Sequence, residues 1–348
     1  MKVLLVSALP PPTGGIATWT VLYRKYCERH NIPLSIVNTA AIGDRGIQIN
    51  KRRNIVDEVK RTLRILSTYK TQIKEFEPDI IHLNTSCSRF GILREYLCIK
   101  FAHKMNIPVV LHCHCNIHEQ VRDTFSIRII KKMADKSNCV LVLNRSSEKF
   151  LGKLTKSNVL QVPNFIDEKM ISEKREIGRT INEVLFVGHV QPMKGSRELL
   201  SAAMQLKDMH FTLVGPIKDN FDVSQCPSNV TLLGQKDYLE VKKYYERADV
   251  YLFPSYTEGF SMSLTEAMAA GLPCIATNVG ANKDMLEDKG GIIIPVGDDI
   301  AIVQALESMS VSTKRQEMSN WNINKVKNEY SLEKVMKRLN NIYQDVLD

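Results

Sequence analysis

The chain repeats one hydrophobic pattern through its first half. A short continuous apolar run alternates with a longer stretch in which apolar residues recur every three or four positions. Such runs are typical of strands buried on both faces, and alternation with helices indicates a parallel sheet. The predicted strands are 2–8, 34–37, 78–83, 108–112, 138–143 and 159–162. Helices are predicted at 16–30, from residue 55 onward, and at 91–105.

The second half restarts the same alternation. Its predicted strands are 183–187, 211–215, 230–233, 250–254, 273–277 and 292–295. Its predicted helices are 238–247, 263–271, 300–308, 314–328 and 331–347. A chain of 348 residues also exceeds what one core usually supports. We therefore predict an α/β protein of two doubly wound, Rossmann-like domains, residues 1–165 and 166–330, with the polar stretch 168–182 as a linker.

One stretch of the second half, residues 256–273, carries the most distinctive chemistry. Glu258 and Glu266 stand eight positions apart, and a helical pattern begins at Ser263. A Ser followed three residues later by Glu is typical of a capping box, so Ser263 is the predicted helix start. The sequence Gly-Leu-Pro then ends the helix.

A helix start behind a glycine suits an anion, because free N–H groups and the helix dipole both favour negative charge there. A diphosphate would fit, with Glu266 beside a sugar hydroxyl and Glu258 on the far side of the ligand. Two alternatives remain open from the residues alone. Glu266 could simply complete the capping box, and Glu258 could be a solvated loop charge.

This stretch resembles the signature of the family-4-type retaining glycosyltransferases (glycosyltransferase group 1), which have the GT-B fold. The family pattern is Glu, seven residues and Glu, followed by a helix of small residues, and here Glu258, GFSMSLT, Glu266 and AMAAGLP follow in that order. The resemblance implies that Glu266 binds the ribose of a nucleotide sugar and that Glu258 contacts the donor sugar. It assigns the diphosphate to the amides of four residues, namely Phe260, Ser261, Met262 and Ser263.

Two further loops match the family in part. Gly14 and Gly15 follow the first strand, where relatives carry a glycine loop that approaches the donor and the acceptor; an ordinary tight turn is the alternative. After the strand at 183–187, relatives usually have Gly-Arg and then Lys-Gly. Lys194 matches the Lys that neutralises the leaving diphosphate, whereas His189 stands at the Arg position.

A histidine is expected in the catalytic cleft, since the resemblance implies one where the strand at 108–112 ends. Ligands of open α/β sheets collect at the carboxyl ends of strands. His114 lies nearest to the loop and is the preferred candidate, with His112 as its competitor and His82, at the previous strand, as a third candidate. The family also implies that the final helix, 331–348, packs on the first domain.

The net charge of +9 is unevenly distributed. Residues 1–165 contain 26 Lys+Arg and 12 Asp+Glu, whereas the remainder contains 21 and 26. A basic first half indicates an anionic partner. No nucleic-acid-binding module is recognised, which favours the anionic inner surface of the membrane. The helix from residue 55, with Ile55, Val59 and Leu63 on one face, is either a membrane-lying helix or an ordinary surface helix.

The cysteines and the apolar runs limit other possibilities. Cys113 and Cys115 alternate with His112 and His114, but residues that alternate along a strand point to opposite faces, so no metal site is predicted. The eight cysteines show no paired spacing and are expected to be reduced thiols. No apolar run is long enough to span a bilayer. The expected location is the cytoplasm, peripherally on the inner face of the cell membrane.

The resemblance therefore implies a retaining, hexosyltransferase-type enzyme (EC 2.4) that needs neither metal nor cofactor. Its donor would be a UDP- or GDP-linked sugar and its acceptor a glycan, lipid-linked as the basic half suggests. The pathway would be bacterial surface polysaccharide synthesis: capsule, O-antigen or exopolysaccharide. Two rival functions remain, a nucleotide-sugar 2-epimerase of the same fold and a catalytically silent nucleotide-sugar-binding partner.

Overall fold

The chain consists of two compact units, seen in a computed structural model that describes residues 1–11, 14–40, 55–218 and 221–348. The first unit is Met1–Asn164 together with Leu332–Asp348, and the second is Phe165–Ser331. Each has its own sheet, so each is described by itself.

A parallel sheet forms the centre of the first unit. Its strands are β1 (Val3–Ser7), β2 (Leu34–Asn38), β3 (Ile80–Thr85), β4 (Val109–Cys113), β5 (Cys139–Val142) and β6 (Asn158–Gln161). They lie in the order β2-β1-β3-β4-β5-β6, and every neighbouring pair is parallel. All six predicted strands of the first half are confirmed, with ends that differ by one or two residues.

Helices cover both faces of this sheet, which is why its four central strands, β1, β3, β4 and β5, are buried along their whole length. They are α1 (Gly15–Arg29), α2 (Ile55–Phe76), α3 (Arg89–Lys104), α4 (Ile117–Gln120), α5 (Thr124–Asp135) and α6 (Arg145–Gly152). Helix α2 turns Ile65, Tyr69 and Ile73 inward. The apolar residues of its first turns, Ile55 and Leu63, are instead 69% and 63% exposed.

The second unit repeats the architecture with its own parallel sheet. Its strands are β7 (Glu183–Val187), β8 (His210–Val214), β9 (Val230–Gly234), β10 (Val250–Phe253), β11 (Cys274–Thr277) and β12 (Gly291–Ile294). The order is β12-β11-β10-β7-β8-β9. The six predicted strands of the second half are also confirmed. The prediction of two doubly wound α/β domains is therefore correct.

Four helices of the second unit match predicted helices, whereas those at 196–205 and 282–286 were not predicted. The helices are α7 (Ser196–Gln205), α8 (Tyr238–Arg247), α9 (Met262–Ala269), α10 (Asn282–Leu286), α11 (Asp299–Ser308) and α12 (Ser312–Lys325). A π-helical turn, Val326–Tyr330, extends α12. The predicted linker, 168–182, lies within the second unit. It packs on the second unit through Arg175, whose Nη1 donates to the carbonyl oxygens of Tyr245 and Ala270 at 2.9 and 3.0 Å.

The last helix, α13 (Leu332–Leu347), belongs to the first unit. It contacts α1 and buries six side chains: Leu332, Val335, Met336, Leu339, Ile342 and Tyr343. The Tyr343 hydroxyl lies 2.7 Å from Nδ1 of His82, in the centre of the sheet. Among the described helices, none combines the length and the apolar character needed to cross a bilayer.

Candidate active site

The signature stretch lies where the strand order of the second sheet reverses. β8 and β9 continue on one side of β7, whereas β10, β11 and β12 lie on the other side. The loops after β7 and β10 therefore diverge and leave a crevice, which is where open α/β sheets bind ligands. The first loop carries His189 and Lys194, and the second carries Glu258.

An ion pair joins these two loops. Lys194 Nζ donates to Oε1 of Glu258, and the Ser255 hydroxyl donates to the same oxygen at 2.9 Å. Lys194 Nζ also lies 5.9 Å from the centre of the Phe253 ring. The side chains of Lys194 and Glu258 are 23% and 12% exposed. Both remain accessible to a ligand, and partial exclusion of water strengthens their electrostatic interaction.

Gly195 allows the two loops to come this close. Its φ is +74°, and a Cβ on this residue would lie 2.1 Å from the carbonyl oxygen of Pro254. The 3-10 turn Pro192–Lys194 therefore rests directly on the loop after β10, and Tyr256 N donates to Met193 O at 3.1 Å. The Lys-Gly order has a steric reason, because no other residue would place Lys194 beside Glu258.

A second glycine, Gly280, packs against the backbone of the same loop. Its φ is +54°, and a Cβ there would meet the carbonyl oxygen of Glu258 at 2.3 Å. The next residue, Ala281, donates its N–H to Gly259 O at 3.1 Å. The turn after β11 thus fixes the backbone on which Glu258 stands.

The helix that follows begins two residues earlier than predicted, which corrects the assignment of Ser263. Ser261 is the N-cap of α9, and its hydroxyl accepts a hydrogen bond from Leu264 N at 3.2 Å. Ser263 instead accepts from the Tyr251 hydroxyl at 2.8 Å. The predicted capping box between Ser263 and Glu266 is therefore wrong, since Ser263 already has helical backbone geometry and Glu266 lies in the second turn.

Glu266 has a different partner, Tyr245, at the end of α8. The Tyr245 hydroxyl lies 3.1 Å from Oε2 of Glu266 and 3.1 Å from the carbonyl oxygen of Ser263. Burial raises the pKa of Glu266 to about 7, and the hydrogen bond from Tyr245 offsets part of that rise. Its side chain is only partly exposed. A carboxylate held in this way is poised to accept hydrogen bonds from vicinal hydroxyls.

The four residues assigned to the diphosphate differ in their surroundings. Phe260 is 7% exposed and its ring packs edge-on against Tyr330, 5.3 Å between centroids, so only its backbone can serve a ligand. Ser261 is also buried, whereas Met262 and Ser263 are partly exposed. The first N–H groups of a helix have no intrahelical acceptor, which leaves the start of α9 suited to an anion.

His189, at the position where relatives have Arg, directly follows Gly188 at the end of β7. Burial, Lys218 and Lys194 together lower its pKa, so the imidazole is neutral at neutral pH. Within the described part of the chain, its Nδ1 is buried and has no hydrogen-bond partner. The site thus contains a polar atom that a ligand could satisfy, but not the second cation of the family pattern.

In the first unit, the three histidine candidates share one face of the sheet. The rings of His112 and His114 are 4.0 Å apart between centroids, and those of His82 and His112 are 5.3 Å apart. His82 and His112 are fully buried, whereas His114 is partly exposed. Burial lowers the pKa of His114 to about 3. The preferred candidate is therefore the one of the three that a ligand can reach, in its neutral form.

Asn84 holds His114 in place. Its Oδ1 accepts hydrogen bonds from Nε2 of His114 and Nε2 of His82, both at 2.9 Å. Its amide nitrogen donates to the Ser7 hydroxyl at 2.9 Å. Trp19 of α1 packs edge-on against His114, with 5.6 Å between centroids. These contacts fix the imidazole at the carboxyl edge of the sheet.

Gly14 and Gly15 stand at the start of α1, close in sequence to the end of β1. Gly14 is its N-cap and Gly15 its first residue. Among the described atoms, a Cβ on either glycine would meet nothing within 4 Å. No packing among the described residues therefore requires glycine at either position.

The cysteines lie apart from the histidines. Cys113 and Cys115 pack with Cys87 in the core on the other side of the sheet, and all eight cysteines are free thiols. Among the residues that the structure describes, no group of three or more His, Cys, Asp or Glu side chains could hold a metal ion.

The structure thus groups the predicted residues by unit. Glu258, Lys194, His189, Glu266 and the start of α9 lie together in the second unit. His114 and the glycine pair lie in the first. Sequence reasoning missed Tyr245 and Tyr251, because no spacing rule connects a residue of α8 or β10 with a side chain on α9.

Comparison with known proteins agrees with this arrangement. The model of the family Glycosyl transferases group 1 matches residues 167–326, and that of Glycosyltransferase Family 4 matches residues 13–169. The chain is a group 1 glycosyltransferase. Both matches carry glycosyltransferase descriptions, and together they cover both units. The resemblance inferred from the signature stretch is therefore confirmed, and the chain is an enzyme of the transferase class.

Individual relatives of this glycosyltransferase have low sequence identity to it but align over most of its length. The UDP-Gal:alpha-D-GlcNAc-diphosphoundecaprenol alpha-1,3-galactosyltransferase of Escherichia coli is 22% identical over 83% of this chain and 81% of its own. An uncharacterised 41.2 kDa protein in the cps region of Klebsiella pneumoniae is 26% identical over 67% of this chain and 70% of its own.

Solved structures show the fold. Sucrose-phosphate synthase from Thermosynechococcus elongatus superposes with a TM-score of 0.79 at 17% identity, covering 99% of this chain and 98% of the other. The Anabaena protein HepE, solved with UDP and glucose, gives 0.74 at 15% identity with 99% coverage of both chains. The predicted GT-B architecture is confirmed.

Proposed function

We propose that this glycosyltransferase moves a sugar from a nucleoside diphosphate sugar, UDP- or GDP-linked, to a glycan acceptor with retention at the anomeric carbon. One observation carries the proposal: Lys194 and Glu258 form an ion pair between two diverging loops, directly before the start of α9. The HepE structure with UDP and glucose supports a donor of this class.

In the donor complex, Glu266 accepts hydrogen bonds from the ribose hydroxyls, and the amides from Phe260 to Ser263 bind the diphosphate. Glu258 contacts the transferred sugar. His189 offers a neutral nitrogen where relatives have a guanidinium, so charge neutralisation depends more heavily on Lys194 here. Gly14 and Gly15, at the start of α1, are also assigned to donor binding.

The chemistry that these residues serve is cleavage of the bond between the anomeric carbon and the diphosphate oxygen. The electron pair of this bond goes to the diphosphate, the acceptor hydroxyl oxygen forms the new bond on the same face, and the hydroxyl proton passes to the departing diphosphate. Lys194 and the α9 amides stabilise the charge that develops on the leaving group, which is the strongest catalytic effect available to such a site. We propose that they do so without a metal ion.

His114 is proposed to contact the donor sugar or the acceptor hydroxyl. Because its pKa lies near 3, it acts as a neutral hydrogen-bonding group throughout the physiological range. A pH–rate profile that showed an essential His114 with a pKa between 5 and 8 would contradict this role.

The acceptor is proposed to be a lipid-linked glycan at the cytoplasmic face of the membrane, in surface polysaccharide synthesis. The basic first half and the exposed apolar residues Ile55, Val59 and Leu63 of α2 support a peripheral membrane location. The diphosphoundecaprenol-linked substrate in the name of the Escherichia coli relative, and the cps region of the Klebsiella relative, support the acceptor class and the pathway.

A donor screen tests the core of the proposal. Thermal unfolding is measured with a panel of UDP- and GDP-sugars, because a ligand that binds the native state raises the midpoint by mass action. The positive donor is then incubated with candidate acceptors, with and without EDTA, and the anomeric configuration of the product is determined by proton NMR. Epimerised donor without acceptor would indicate the epimerase alternative, and binding without turnover the silent one.

Flotation with liposomes tests the location. We expect binding to anionic vesicles that salt weakens, and loss of binding for Val59→Asp/Leu63→Asp. Leu239→Asp, at a residue of the second unit that is 71% exposed, is the matched control. Equal flotation of all three proteins would contradict the role of α2.

A further inference from the structure

The first unit contains a polar pocket that the donor chemistry does not use. It encloses about 110 Å³ and lies at the carboxyl ends of β1 and β3, where the order of the first sheet reverses. Its lining includes Asn84, Ser86 and Ser88, together with the guanidinium-bearing side chains of Arg61 and Arg94. Reversals of this kind are the ligand sites of doubly wound sheets.

Arg94, on α3, is a buried cation with an unused donor. It is 5% exposed, and its Nη2 donates to Glu95 Oε1 at 3.1 Å. Within the described residues, its Nε is buried and has no hydrogen-bond partner. Burying a charged group without satisfying its donors is costly, so a ligand that accepts from Nε would remove a penalty of the empty pocket.

Arg61, on α2, brings a second guanidinium to the same pocket. Its Nε donates to Thr39 O at 3.1 Å, and its Nη1 lies 3.4 Å from Glu58 Oε1. Burial and the proximity of Arg94 both lower its pKa. Two like charges in one small cavity repel each other, and an anion between them relieves that repulsion.

The pocket also contains two acids, and each pairs with one arginine. Glu58 lies beside Arg61, and Glu95 lies beside Arg94. Burial raises the pKa of Glu95, and its Oε2 accepts from the Thr85 hydroxyl at 2.5 Å. The feature that a ligand can use is therefore the unpartnered Nε of Arg94 and not a net charge of the pocket.

The first turn of α3 adds a third favourable feature. Ser88, the N-cap, makes no side-chain capping bond, and the first turn of this 16-residue helix contains no acid. Its third residue is Gly91, and a Cβ there would come within 2.6 Å of the Ser88 hydroxyl oxygen. The helix start therefore stays open and presents its positive end to the pocket.

Apolar side chains lead away from the pocket along α3. Phe90, which lines it, and Leu93 and Leu97 of α3 are 40%, 38% and 44% exposed. Val59 and Leu63 of α2 are two residues to either side of Arg61 and therefore lie on the opposite face of that helix. An anion-binding pocket beside the exposed apolar side chains of α3 suits a phosphate that carries an apolar chain.

We propose that this pocket binds the phosphate of a lipid-linked acceptor, with the apolar chain lying along α3. The assignment to the acceptor rests on the proposed function. Asn84 connects the pocket to His114, because it lines the one and accepts a hydrogen bond from the other. A phosphate held here leaves the sugar attached to it near His114, where transfer is proposed to occur.

The test uses protein saturated with the nucleoside diphosphate identified in the donor screen, so that the donor's own diphosphate site is filled. Octyl phosphate (below its micelle concentration), inorganic phosphate and octanol are titrated in by calorimetry. We expect octyl phosphate to bind at least tenfold more tightly than inorganic phosphate, and octanol to bind weakest. Equal affinities of octyl phosphate and inorganic phosphate would overturn the apolar path, and no binding of either would overturn the pocket.

Variants locate the binding. Arg61→Gln should weaken octyl phosphate at least tenfold, and Gly91→Ala, which narrows the helix start, should weaken it too. Arg338→Gln, an exposed residue of α13, is the control of equal charge change. Arg94→Lys keeps the positive charge but removes the planar guanidinium, so it separates the effect of charge from that of the guanidinium's donor geometry. The comparison requires that its unfolding midpoint match that of the wild type. Normal octyl phosphate binding by Arg61→Gln and Gly91→Ala would refute the site.

Failure of the two proposals can be distinguished. If the protein binds no nucleotide or nucleotide sugar, the donor proposal fails whatever octyl phosphate does. If nucleotide binds normally and octyl phosphate does not, only the acceptor pocket fails.

Discussion

The two units have the same sheet but place different chemistry at the same topological point. In the second unit, the reversal beside β7 and β10 holds a partly exposed ion pair, Lys194 and Glu258. In the first unit, the reversal beside β1 and β3 borders buried histidines and a buried arginine, Arg94. The backbone decides where a ligand can sit, and the side chains in the loops decide which ligand it is. The difference predicts a division of labour, with the leaving group served by one unit and the acceptor by the other.

The strongest test of this division is Lys194→Met. If the second unit alone neutralises the leaving group, kcat/KM should fall about 100- to 1,000-fold, the usual effect of losing one preorganised donor to a developing charge. Steady-state transfer assays measure it, with Lys289→Met, at an exposed residue of the same unit, as control. A loss below tenfold would mean that another group carries the charge.

The variant Glu258→Gln removes the charge of the other partner of this ion pair and separates nucleotide binding from transfer. It frees Lys194 from its ion pair, so nucleoside diphosphate should bind as tightly as before or more tightly while transfer falls. Parallel losses of binding and transfer would instead indicate that Glu258 only supports the loop.

The next effect concerns Glu266, whose pKa of about 7 gives donor binding a pH dependence. The carboxylate accepts ribose hydrogen bonds better than the neutral acid, so affinity should rise between pH 6 and pH 8. Glu266→Gln should bind donor about tenfold more weakly at pH 8 and lose this rise, since charge-assisted hydrogen bonds are the stronger ones. Calorimetry at pH 6, 7 and 8 checks both expectations.

The same group affects stability in the opposite direction. A carboxyl whose pKa is raised on folding favours the folded state while it is protonated, and this contribution is lost as pH rises from the unfolded pKa, near 4.5, to about 7. As pH rises over that range, the unfolding free energy of the wild type should therefore fall relative to that of Glu266→Gln. A constant difference would contradict the raised pKa.

A smaller effect is expected of His189→Arg. The substitution supplies the guanidinium that the family pattern has at this position, so the donor KM should fall about three- to tenfold, in line with one charge-assisted hydrogen bond. An unchanged KM would show that Lys194 and Lys218, which already lower the pKa of His189, leave no room for a further cation.

The smallest catalytic effect is expected of Tyr343→Phe, which alters the first unit only. Loss of the hydroxyl leaves Nδ1 of His82 without its 2.7 Å partner and should cost about 1–3 kcal/mol of stability. Donor affinity should stay within about twofold, since neither Tyr343 nor His82 is among the residues proposed to bind the donor. Denaturant unfolding measures the loss of stability, and calorimetry on the same preparation measures donor affinity. A large loss of donor binding would contradict the proposed division between the two units.

The sequence was sufficient for all twelve strands, but not for every helix and not for the contacts around the predicted site residues. Strand β3 is an example of a predictable strand. All six of its residues are buried, and its polar side chains, such as His82 and Asn84, are hydrogen-bonded to one another, so the sequence contains few charged residues there to interrupt the strand pattern. The helix start was misplaced because Ser261 and Ser263 are equally good caps by type. Only the backbone angles, with Ser261 extended and Ser263 helical, separate them.

Long-range contacts explain the remaining errors. Tyr245 reaches Glu266 across two helices, and Arg175 packs in a segment whose composition is that of a linker. Arg94 is typical of a surface helix residue in sequence, yet it is 5% exposed. The partners of Tyr245 and Arg175 are more than 20 residues away, so the periodicity of the sequence carries no information about them. Nor does the sequence pattern around Arg94 indicate that it is buried.

The return of α13 to the first unit has a consequence for how the protein is made. The polypeptide leaves the first unit after Asn164 and re-enters it at Leu332, so 167 residues of the second unit emerge from the ribosome in between. Until α13 has emerged, the surface of the first unit on which its six buried side chains pack stays uncovered, and His82 lacks the Tyr343 hydroxyl. The half of the enzyme that is synthesised first is therefore the half that is finished last, and nascent chains should carry a competent donor half before an acceptor half exists.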